Sequence, residues 1–289
     1  MTEKSIAFRF PLGGPDMHTT IRDIEIGKKR PLAVIAGPCV IESAQLCLTV
    51  AKSLKATCKR LGLPLIFKAS FDKANRNSLE SFRGPGIEHG LSILADIGKR
   101  TGLPVLSDVH EVDQVDYAAE VLDVLQVPAF LCRQTDLVVA CAESGRAVNI
   151  KKGQFMAPQD MHPIVGKARA ANRRCPILLT ERGTTFGYHN LVVDPRSIEV
   201  MRDYAPVVFD ATHSVQRPGA GGGKSGGDRG FVPVLARSAI AAGADAVFLE
   251  VHPDPDQARC DGPNMIPLKR VGRLLKDLKA IRETVMGMV

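Results

Sequence analysis

Six cationic side chains in this sequence each follow a short apolar run, and as a group they suit the binding of anions. The guanidinium fork of arginine and the ammonium group of lysine bind phosphate and carboxylate oxygens. One phosphate needs about two or three such groups, so the set predicts two anionic ligands. Taken singly, each residue is equally well explained as a solvated surface charge. The set consists of Lys68, Lys73, Arg76, Arg133, Lys151 and Arg182.

A second set of four residues offers thiolate, imidazole and carboxylate donors: Cys39, His213, Glu250 and Asp261. These donors are ligands for a divalent metal ion such as Zn²⁺, Fe²⁺ or Mn²⁺. No local spacing supports the group, because its members lie far apart in the sequence and only a fold can bring them together. Taken alone, Cys39 is more often a small buried residue, and His213 can be a satisfied core residue. Asp108, His110 and Asp261 are the candidates for proton transfer.

The elements that must position these side chains are eight apolar, β-branched runs separated by helical patterns. Such runs, about 4–8 residues long and bounded by turn signals, are typical of strands buried on both faces. Eight βα units over about 250 residues predict a (β/α)8 TIM barrel of the α/β class, with the catalytic side chains at the carboxyl ends of the strands. The strands are predicted within residues 31–38, 63–70, 103–110, 121–128, 147–152, 175–183, 205–213 and 244–252.

Helical periodicity predicts helices over residues 42–61, 111–121, 135–144, 195–204, 229–242 and 268–286. In the first of them Leu46, Thr49 and Leu54 share a face, Cys47 and Cys58 are packing residues, and Gly62 ends the helix. The competing fold is a doubly wound sheet, which usually has a Gly-rich first turn for a dinucleotide. Here the first turn reads Ala36-Gly-Pro-Cys.

Two segments lie outside this βα pattern. Residues 1–30 are predicted to be an N-terminal extension, with short strands at 7–10 and 22–27 forming a hairpin over the lower end of the barrel domain, residues 31–289. Residues 217–230 are rich in glycine. They do not form a P-loop, because that motif needs glycine where this chain has Pro218. They are either a mobile loop over the site or an unstructured surface loop without a role.

Composition limits the class of protein. The 289 residues carry a formal net charge of +7 and are 45% hydrophobic, which excludes wholesale disorder, collagen and coiled coil. We find no signal-peptide pattern and no apolar run near the roughly 20 residues of a membrane span. Seven cysteines at irregular spacing do not resemble a disulfide framework, so we expect a reducing cytoplasm. The mild positive charge fits an anionic small substrate as well as a nucleic acid.

Sequence motifs distributed over the predicted strand ends resemble those of the 3-deoxy-D-manno-octulosonate 8-phosphate synthase family, from about Pro31 to about Leu268. The most specific piece is the KANR segment that starts at Lys73. The related 3-deoxy-arabino-heptulosonate 7-phosphate synthases usually carry Lys-Pro-Arg-Thr where this chain has Lys68-Ala-Ser-Phe. The motifs are AGPCVIES from Ala36, FKASFDKANR from Phe67, FRGPG from Phe82, SDVHE from Ser107, PAFLCRQTD from Pro128, NIKKGQF from Asn149, TERGTTFGYHNLVVD from Thr180, FDATHSVQ from Phe209, EVHPDP from Glu250 and CDGP from Cys260.

The resemblance implies the condensation of phosphoenolpyruvate with D-arabinose 5-phosphate and water, a step toward lipopolysaccharide. The products are the eight-carbon sugar acid phosphate and inorganic phosphate. The resemblance implies that phosphoenolpyruvate is bound by Lys68, the Ala129 backbone, Lys151 and Arg182, with Gln126 and Gln154 nearby. Ser70 is a further substrate-binding residue. Another set binds the pentose phosphate: Lys73, which also joins the catalytic group, Asn75, Arg76, and Arg133 from a neighbouring subunit of a homotetramer.

The family has metal-independent members with Asn where this chain has Cys39, so the resemblance points to the metal-dependent class, with His213, Glu250 and Asp261 as the other ligands. One departure is Asn77, since relatives often have Ser there. Two alternatives remain open at this stage. One is a heptulosonate synthase that uses erythrose 4-phosphate. The other is a protein that binds anions or nucleic acid without catalysis, which would need basic residues and stacking aromatic residues on an outer face.

Overall fold

The eight predicted strands form a closed parallel barrel in the computed structural model, which describes residues 17–76, 78–221 and 224–288, with residues 219–221 and 224–225 described by their backbone only. Neighbouring strands pair in chain order, and the last strand pairs with both the first and the seventh, so the sheet closes. The TIM barrel prediction is confirmed. The barrel strands are β3 (Ala33–Gly37), β4 (Leu65–Lys68), β5 (Val105–Asp108), β6 (Val124–Val127), β7 (Ala147–Lys151), β8 (Ile177–Glu181), β11 (Val207–Asp210) and β14 (Ala246–His252).

Eight helices surround the barrel in the described part of the chain. The six predicted helices are present, and two more, α2 and α5, have no counterpart in the prediction. Glycines interrupt the periodicity of α2, yet Gly90 is required there, because a Cβ atom on it would lie 2.3 Å from the Phe71 Cβ atom. The helices are α1 (Ala44–Leu61), α2 (Ile87–Thr101), α3 (Asp113–Val121), α4 (Thr135–Glu143), α5 (Met161–Ala171), α6 (Arg196–Arg202), α7 (Val232–Ala241) and α8 (Leu268–Met286).

The first helix begins and ends as its sequence predicts. The Ser43 hydroxyl accepts a hydrogen bond from the backbone N–H of Leu46, and Gly62 ends the helix at φ 66°. Cys47 and Cys58 are buried against the barrel, and burial raises the pKa of each thiol to about 12. The predicted apolar face was wrong in one respect: Thr49 is exposed, because the two cysteines take the positions that pack on the sheet.

An antiparallel hairpin closes the amino-terminal end of the barrel. Its strands are β1 (His18–Ile21) and β2 (Ile24–Gly27). Three isoleucines of the hairpin join the apolar cluster inside the barrel, and the hydroxyl of Thr19 donates to the backbone oxygen of Ile177 at 2.7 Å. The predicted hairpin extension is therefore present and lies below the barrel. The strand predicted at residues 7–10 falls outside the described residues.

Inside the barrel, side chains from alternate strand positions form layers. One layer is apolar and contains Ile35, Ile66, Leu106, Val124 and Phe248, all fully buried. Because strand side chains alternate with a period of two, the next inward positions toward the carboxyl ends carry the polar residues. These are Lys68, Asp108, Gln126, Asn149, Thr180, Asp210 and Glu250, while the first strand has Gly37 at this level. The fold thus places the polar side chains directly on the carboxyl-terminal side of a buried apolar layer.

The glycine-rich segment is neither a P-loop nor an unstructured loop. It contains the antiparallel strands β12 (Gln216–Gly221) and β13 (Lys224–Gly227), which follow the end of β11. A Cβ atom on Gly227 would lie 1.4 Å from the Asn264 Oδ1 atom, so this backbone needs glycine where it approaches the last loop.

The remaining short strands are β9 (Thr184–Thr185), β10 (Leu191–Val192) and β15 (Ile266–Pro267). In the described part of the chain, no helix combines the length and the apolar character needed to cross a membrane.

Candidate active site

A cavity of about 310 Å³ opens at the carboxyl ends of the barrel strands. Most of the residues that were predicted to form the site at this end of the barrel line this cavity. Side chains from the glycine-rich hairpin, Gln216 and Pro218, lie at its rim. The predicted site residues that line the cavity are Lys73, Asn75, Arg76, Asp108, His110, Gln126, Ala129, Lys151, Gln154, Arg182, His213 and Asp261.

The other predicted site residues lie beside or outside the cavity. Lys68 and Ser70 are fully buried below it, as are Cys39 and Glu250 in its wall. Arg133 is exposed and does not line the cavity within this chain. Asn77 lies outside the described residues. The structure therefore brings together most of the predicted set and leaves Arg133 at the surface.

Three of the six cations already have carboxylate partners within the chain. Lys68 Nζ lies 2.6 Å from Glu250 Oε1, and Lys151 Nζ lies 2.5 Å from Asp210 Oδ2. Lys73 Nζ lies 3.6 Å from Asp108 Oδ2 and 3.8 Å from Glu250 Oε1. Buried carboxylates of the same chain therefore neutralise these three lysines. Arg76 and Arg182 are the cavity cations that remain for ligands without such a partner within 4 Å in the described residues.

These pairs set the ionisation of the carboxylates. Burial alone would raise the pKa of Asp108, but Lys73, Lys68, His110 and Lys151 outweigh it and hold that pKa well below its usual range. Asp210 behaves in the same way, because His213 and Lys151 lower its pKa more than burial raises it. Both groups are therefore carboxylates at neutral pH.

The pKa values of two of the lysines are shifted in opposite directions. Burial lowers the pKa of Lys151 despite the attraction of Asp210. Lys73 is half-buried, and the negative charges around it outweigh desolvation and raise its pKa well above the usual value. Lys151 also lies with its Nζ atom 3.9 Å from the centre of the Phe248 ring, a cation–π contact that fixes it over the floor of the site. Phe248 was not predicted as a site residue, because in the sequence it is one apolar residue of a strand.

The four predicted metal donors meet on one wall of the cavity. Asp261 Oδ2 lies 3.4 Å from Cys39 Sγ and 3.9 Å from His213 Nε2, and His213 Nε2 lies 3.4 Å from Glu250 Oε2. Asp261 adopts a left-handed backbone conformation, φ 49°, which turns its side chain into this wall. Donor atoms this close suit a shared ion, whose bonds to them run at about 2.0–2.3 Å.

One contact tests whether a cation fits. His213 Nδ1 lies 2.6 Å from Asp210 Oδ2, and in this network Nδ1 carries the proton. The Nε2 lone pair then faces Glu250 Oε2, a buried oxygen that has no hydrogen-bond partner among the described residues. A metal ion bound between them would satisfy both acceptors, which lie 3.4 Å apart in a buried site. The donor set therefore fits a divalent metal ion.

Cys260 is a site residue that the sequence reasoning missed. Its Sγ atom lies 3.0 Å from Cys39 Sγ, and it accepts a hydrogen bond from an Nη atom of Arg76 at 2.9 Å. Cys39, Cys260 and Asp261 form a second cluster of donors. The signal available in the sequence was the position of Cys260 directly before Asp261.

The sequence profile of the DAHP synthetase I family matches residues 10–286 of this chain. The chain belongs to the DAHP synthetase I family. This assignment agrees with the barrel and with a site built at its carboxyl end.

Curated relatives within this family are similar over nearly their full length. A protein of Trichlorobacter lovleyi named 2-dehydro-3-deoxyphosphooctonate aldolase is 58% identical over 267 residues, which cover 92% of this chain and 98% of the relative. A protein of Geobacter metallireducens with the same name is 59% identical over 263 residues, 90% of this chain and 96% of the relative. One from Geotalea daltonii, again with this name, is 57% identical over 263 residues, 91% of this chain and 96% of the relative.

Proposed function

We propose that this protein condenses phosphoenolpyruvate with D-arabinose 5-phosphate and water to give 3-deoxy-D-manno-octulosonate 8-phosphate and inorganic phosphate. The names of its relatives describe the same eight-carbon 2-keto acid, since 2-dehydro-3-deoxyoctonate and 3-deoxyoctulosonate are two names for one skeleton. The observation that carries the proposal is the cavity in which Lys73, Arg76, Lys151 and Arg182 surround one space beside a four-donor wall. The heptulosonate alternative is not favoured by these relatives.

The cavity suits two anionic substrates at opposite sides. Lys151 ends β7, Gln154 lies on the loop after β7, and Arg182 directly follows β8. We assign phosphoenolpyruvate to these three residues. Asn75 and Arg76 lie on the loop after β4, and we assign the sugar phosphate to them. Burial lowers the pKa of Arg182, but a guanidinium remains charged at neutral pH and binds phosphate or carboxylate bidentately. Holding both anions at fixed positions lets their carbon atoms approach.

The reaction forms one carbon–carbon bond and one carbon–oxygen bond to water, and it breaks the carbon–oxygen bond to phosphate. Carbon 3 of phosphoenolpyruvate attacks the aldehyde carbon of the sugar, water adds to carbon 2, and phosphate leaves from carbon 2. Lys73, kept as an ammonium by Asp108 and Glu250, is placed to donate a hydrogen bond to the aldehyde oxygen. His110 lines the cavity with its Nδ1 atom buried and without a partner among the described residues, so it is available to move a proton. Asp261 is our further candidate for that task.

A divalent metal ion would be held by Cys39, His213, Glu250 and Asp261. When bound, it supplies polarisation of an oxygen atom or lowers the pKa of water. The protein's own residues prepare this position: Asp210 orients His213, and the ammonium of Lys68 holds Glu250. Burial and the neighbouring Cys260 raise the pKa of Cys39, so loading of the site must release the thiol proton.

We also propose a homotetramer in the cytoplasm. Arg133 is exposed within one chain although it follows the cavity residues Phe130 and Leu131 by only a few positions. This position suits a residue that reaches the site of a neighbouring subunit. A reducing compartment suits a chain with seven free thiols, one of them a proposed metal ligand.

A phosphate-release assay tests the function. Purified protein is given phosphoenolpyruvate with either arabinose 5-phosphate or erythrose 4-phosphate, with and without chelator. We expect release with arabinose 5-phosphate and loss of release on chelation. Release mainly with erythrose 4-phosphate would make the protein a heptulosonate synthase. Binding to generic duplex DNA that weakens with salt, without any phosphate release, would favour the non-enzymatic alternative. Sedimentation of wild type and Arg133→Ala tests the tetramer. Phosphate release by Arg133→Ala, compared with wild type, tests whether Arg133 contributes to the site of a neighbouring subunit.

A further inference from the structure

A chain of buried side-chain hydrogen bonds crosses four neighbouring barrel strands beneath the cavity. The Thr180 hydroxyl on β8 donates to Asn149 Oδ1 on β7 at 2.6 Å. Asn149 Nδ2 donates to Gln126 Oε1 on β6 at 2.9 Å. Gln126 Nε2 then donates to Asp108 Oδ1 on β5. We call this sequence of contacts the amide chain.

The barrel register produces the amide chain. Asp108 is the pairing partner of Gln126, and Gln126 is the partner of Asn149, so the three side chains point inward side by side. Thr180 pairs with Lys151, two residues beyond Asn149, and the tilt of the strands brings its hydroxyl back to Asn149. At most 6% of any of these residues is exposed. If one partner is removed, water cannot easily replace it, and the remaining buried polar group loses its hydrogen bond at a cost in free energy.

The direction of the chain is determined at its Asp108 end. A side-chain amide has a donor end and an acceptor end, so reversing one amide reverses its neighbour. Asp108 is a carboxylate and accepts only, which demands the NH2 group of Gln126. Its other oxygen is taken by the Ser70 hydroxyl at 2.5 Å. At the far end the direction requires a donor toward Asn149, and the Thr180 hydroxyl supplies it.

We propose that Asn149 and Thr180 are positioning residues for catalysis, which set the orientation of the Gln126 amide and through it the orientation of the Asp108 carboxylate toward Lys73. Neither Asn149 nor Thr180 lines the cavity, whereas Gln126, Asp108 and Lys73 do. Their effect on the substrates is therefore indirect. Hydrogen bonds in such a chain polarise one another, so loss of the terminal donor weakens every contact along it.

The inference rests on the proposed function for its kinetic test. The decisive pair is Thr180→Val, which keeps the shape and removes the hydroxyl, and Thr180→Ser, which keeps the hydroxyl. We expect Thr180→Val to lower kcat about tenfold, the effect of one mispositioned hydrogen bond, with less than about a twofold change in KM for either substrate. Thr180→Ser should retain wild-type kcat within about twofold. Both variants should bind the same amount of metal as wild type.

A second variant tests the direction of the chain. In Asn149→Asp, the new carboxylate accepts from Thr180 but cannot donate to Gln126. The Gln126 amide then lies between two carboxylates, and two acceptors oppose each other at one of its two contacts, whichever way the amide turns. We expect a loss of kcat larger than in Thr180→Val, about a hundredfold. Equal kcat in Thr180→Val and Thr180→Ser, or a loss explained by lowered melting temperature in both, would overturn the proposal.

A readout that needs no activity separates this inference from the proposed function. In ¹⁵N-labelled wild-type protein the side-chain NH2 groups of Gln126 and Asn149 should exchange slowly with solvent, and their signals are assigned by their loss in Gln126→Glu and Asn149→Asp. Thr180→Val should accelerate both exchanges at least about tenfold, and Thr180→Ser should not. Fast exchange in wild type would overturn the amide chain. Absence of phosphate release in wild type with slow exchange would instead refute only the proposed reaction.

Discussion

His213 Nδ1 lies 2.6 Å from Asp210 Oδ2, and this contact decides which ring nitrogen of the imidazole points to the site. With Nδ1 donating to Asp210, Nε2 points toward Glu250 and Asp261. A carboxylate behind a ligating histidine fixes the ring orientation and raises its basicity. Asp210 follows the apolar part of β11 and is fully buried, so solvent does not compete for this contact.

Replacing Asp210 by Asn should weaken metal binding. The neutral amide leaves Lys151 without its carboxylate partner and is a weaker acceptor for the Nδ1–H group of His213, so it orients the ring less firmly. We expect about a 10- to 100-fold loss of affinity for Zn²⁺ or Mn²⁺, measured by competition with a chelator of known affinity. Asp203→Asn, the same change at an exposed position, is the matched control. Unchanged affinity in Asp210→Asn would contradict the role of the contact.

Cys39→Asn should convert the protein to an enzyme that tolerates chelation. The reason is the resemblance to a family with metal-independent members that carry Asn at this position. Under our proposal, a metal ion in wild type would position and polarise the reacting groups without redox chemistry. Phosphate release should persist in the variant with chelator present, whereas wild type should lose it. A variant that folds and binds both substrates but is inactive under all conditions would count against this view.

Gly37→Ala should destabilise the barrel. A Cβ atom at this position would lie 1.8 Å from the backbone oxygen of Lys68, so the backbones of two neighbouring strands would have to separate. We expect a loss of about 3 kcal/mol in the free energy of unfolding, or a failure to fold. Gly98→Ala is the matched control, because its nearest neighbours would lie 3.6 Å away and the position is inside α2. That change should stabilise by about 0.5–1 kcal/mol. Similar urea midpoints for the two variants would refute the steric argument.

The buried Asp108 should make stability depend on pH in the acid range. Lys73, Lys68, His110 and Lys151 face it and lower its pKa in the folded state. A carboxyl group with a lowered folded-state pKa contributes stability above its unfolded pKa, about 3.9, and that contribution is lost as the pH falls further. Asp108→Asn should therefore show a smaller fall in melting temperature than wild type between about pH 4 and pH 2. Parallel curves for the two proteins would contradict the shift.

Much of the fold was present in the sequence, since apolar runs with turn signals predict strands whatever their partners. The same period that buries Leu106 and Val124 also points Asp108 and Gln126 inward, so the site residues could be read from strand ends once a barrel was assumed. Helices α2 and α5 escaped this reasoning. Glycines at 90 and 98 weaken the helical pattern of the first segment, and proline at 163, although tolerated in a first helical turn, resembles a helix breaker in the second.

The sequence by itself determined the eight-strand pattern, the family and the chemical inventory of the site, because each depends on residue types at local spacing. Only the tertiary structure decided how those groups pair. The contact of Lys68 with Glu250 joins residues 182 positions apart, and the contact of Cys39 with Cys260 joins residues 221 positions apart. The order of donors and acceptors from Thr180 to Asp108 also depends on strand register. Such contacts follow from the closure and tilt of the barrel, which no local stretch of sequence encodes.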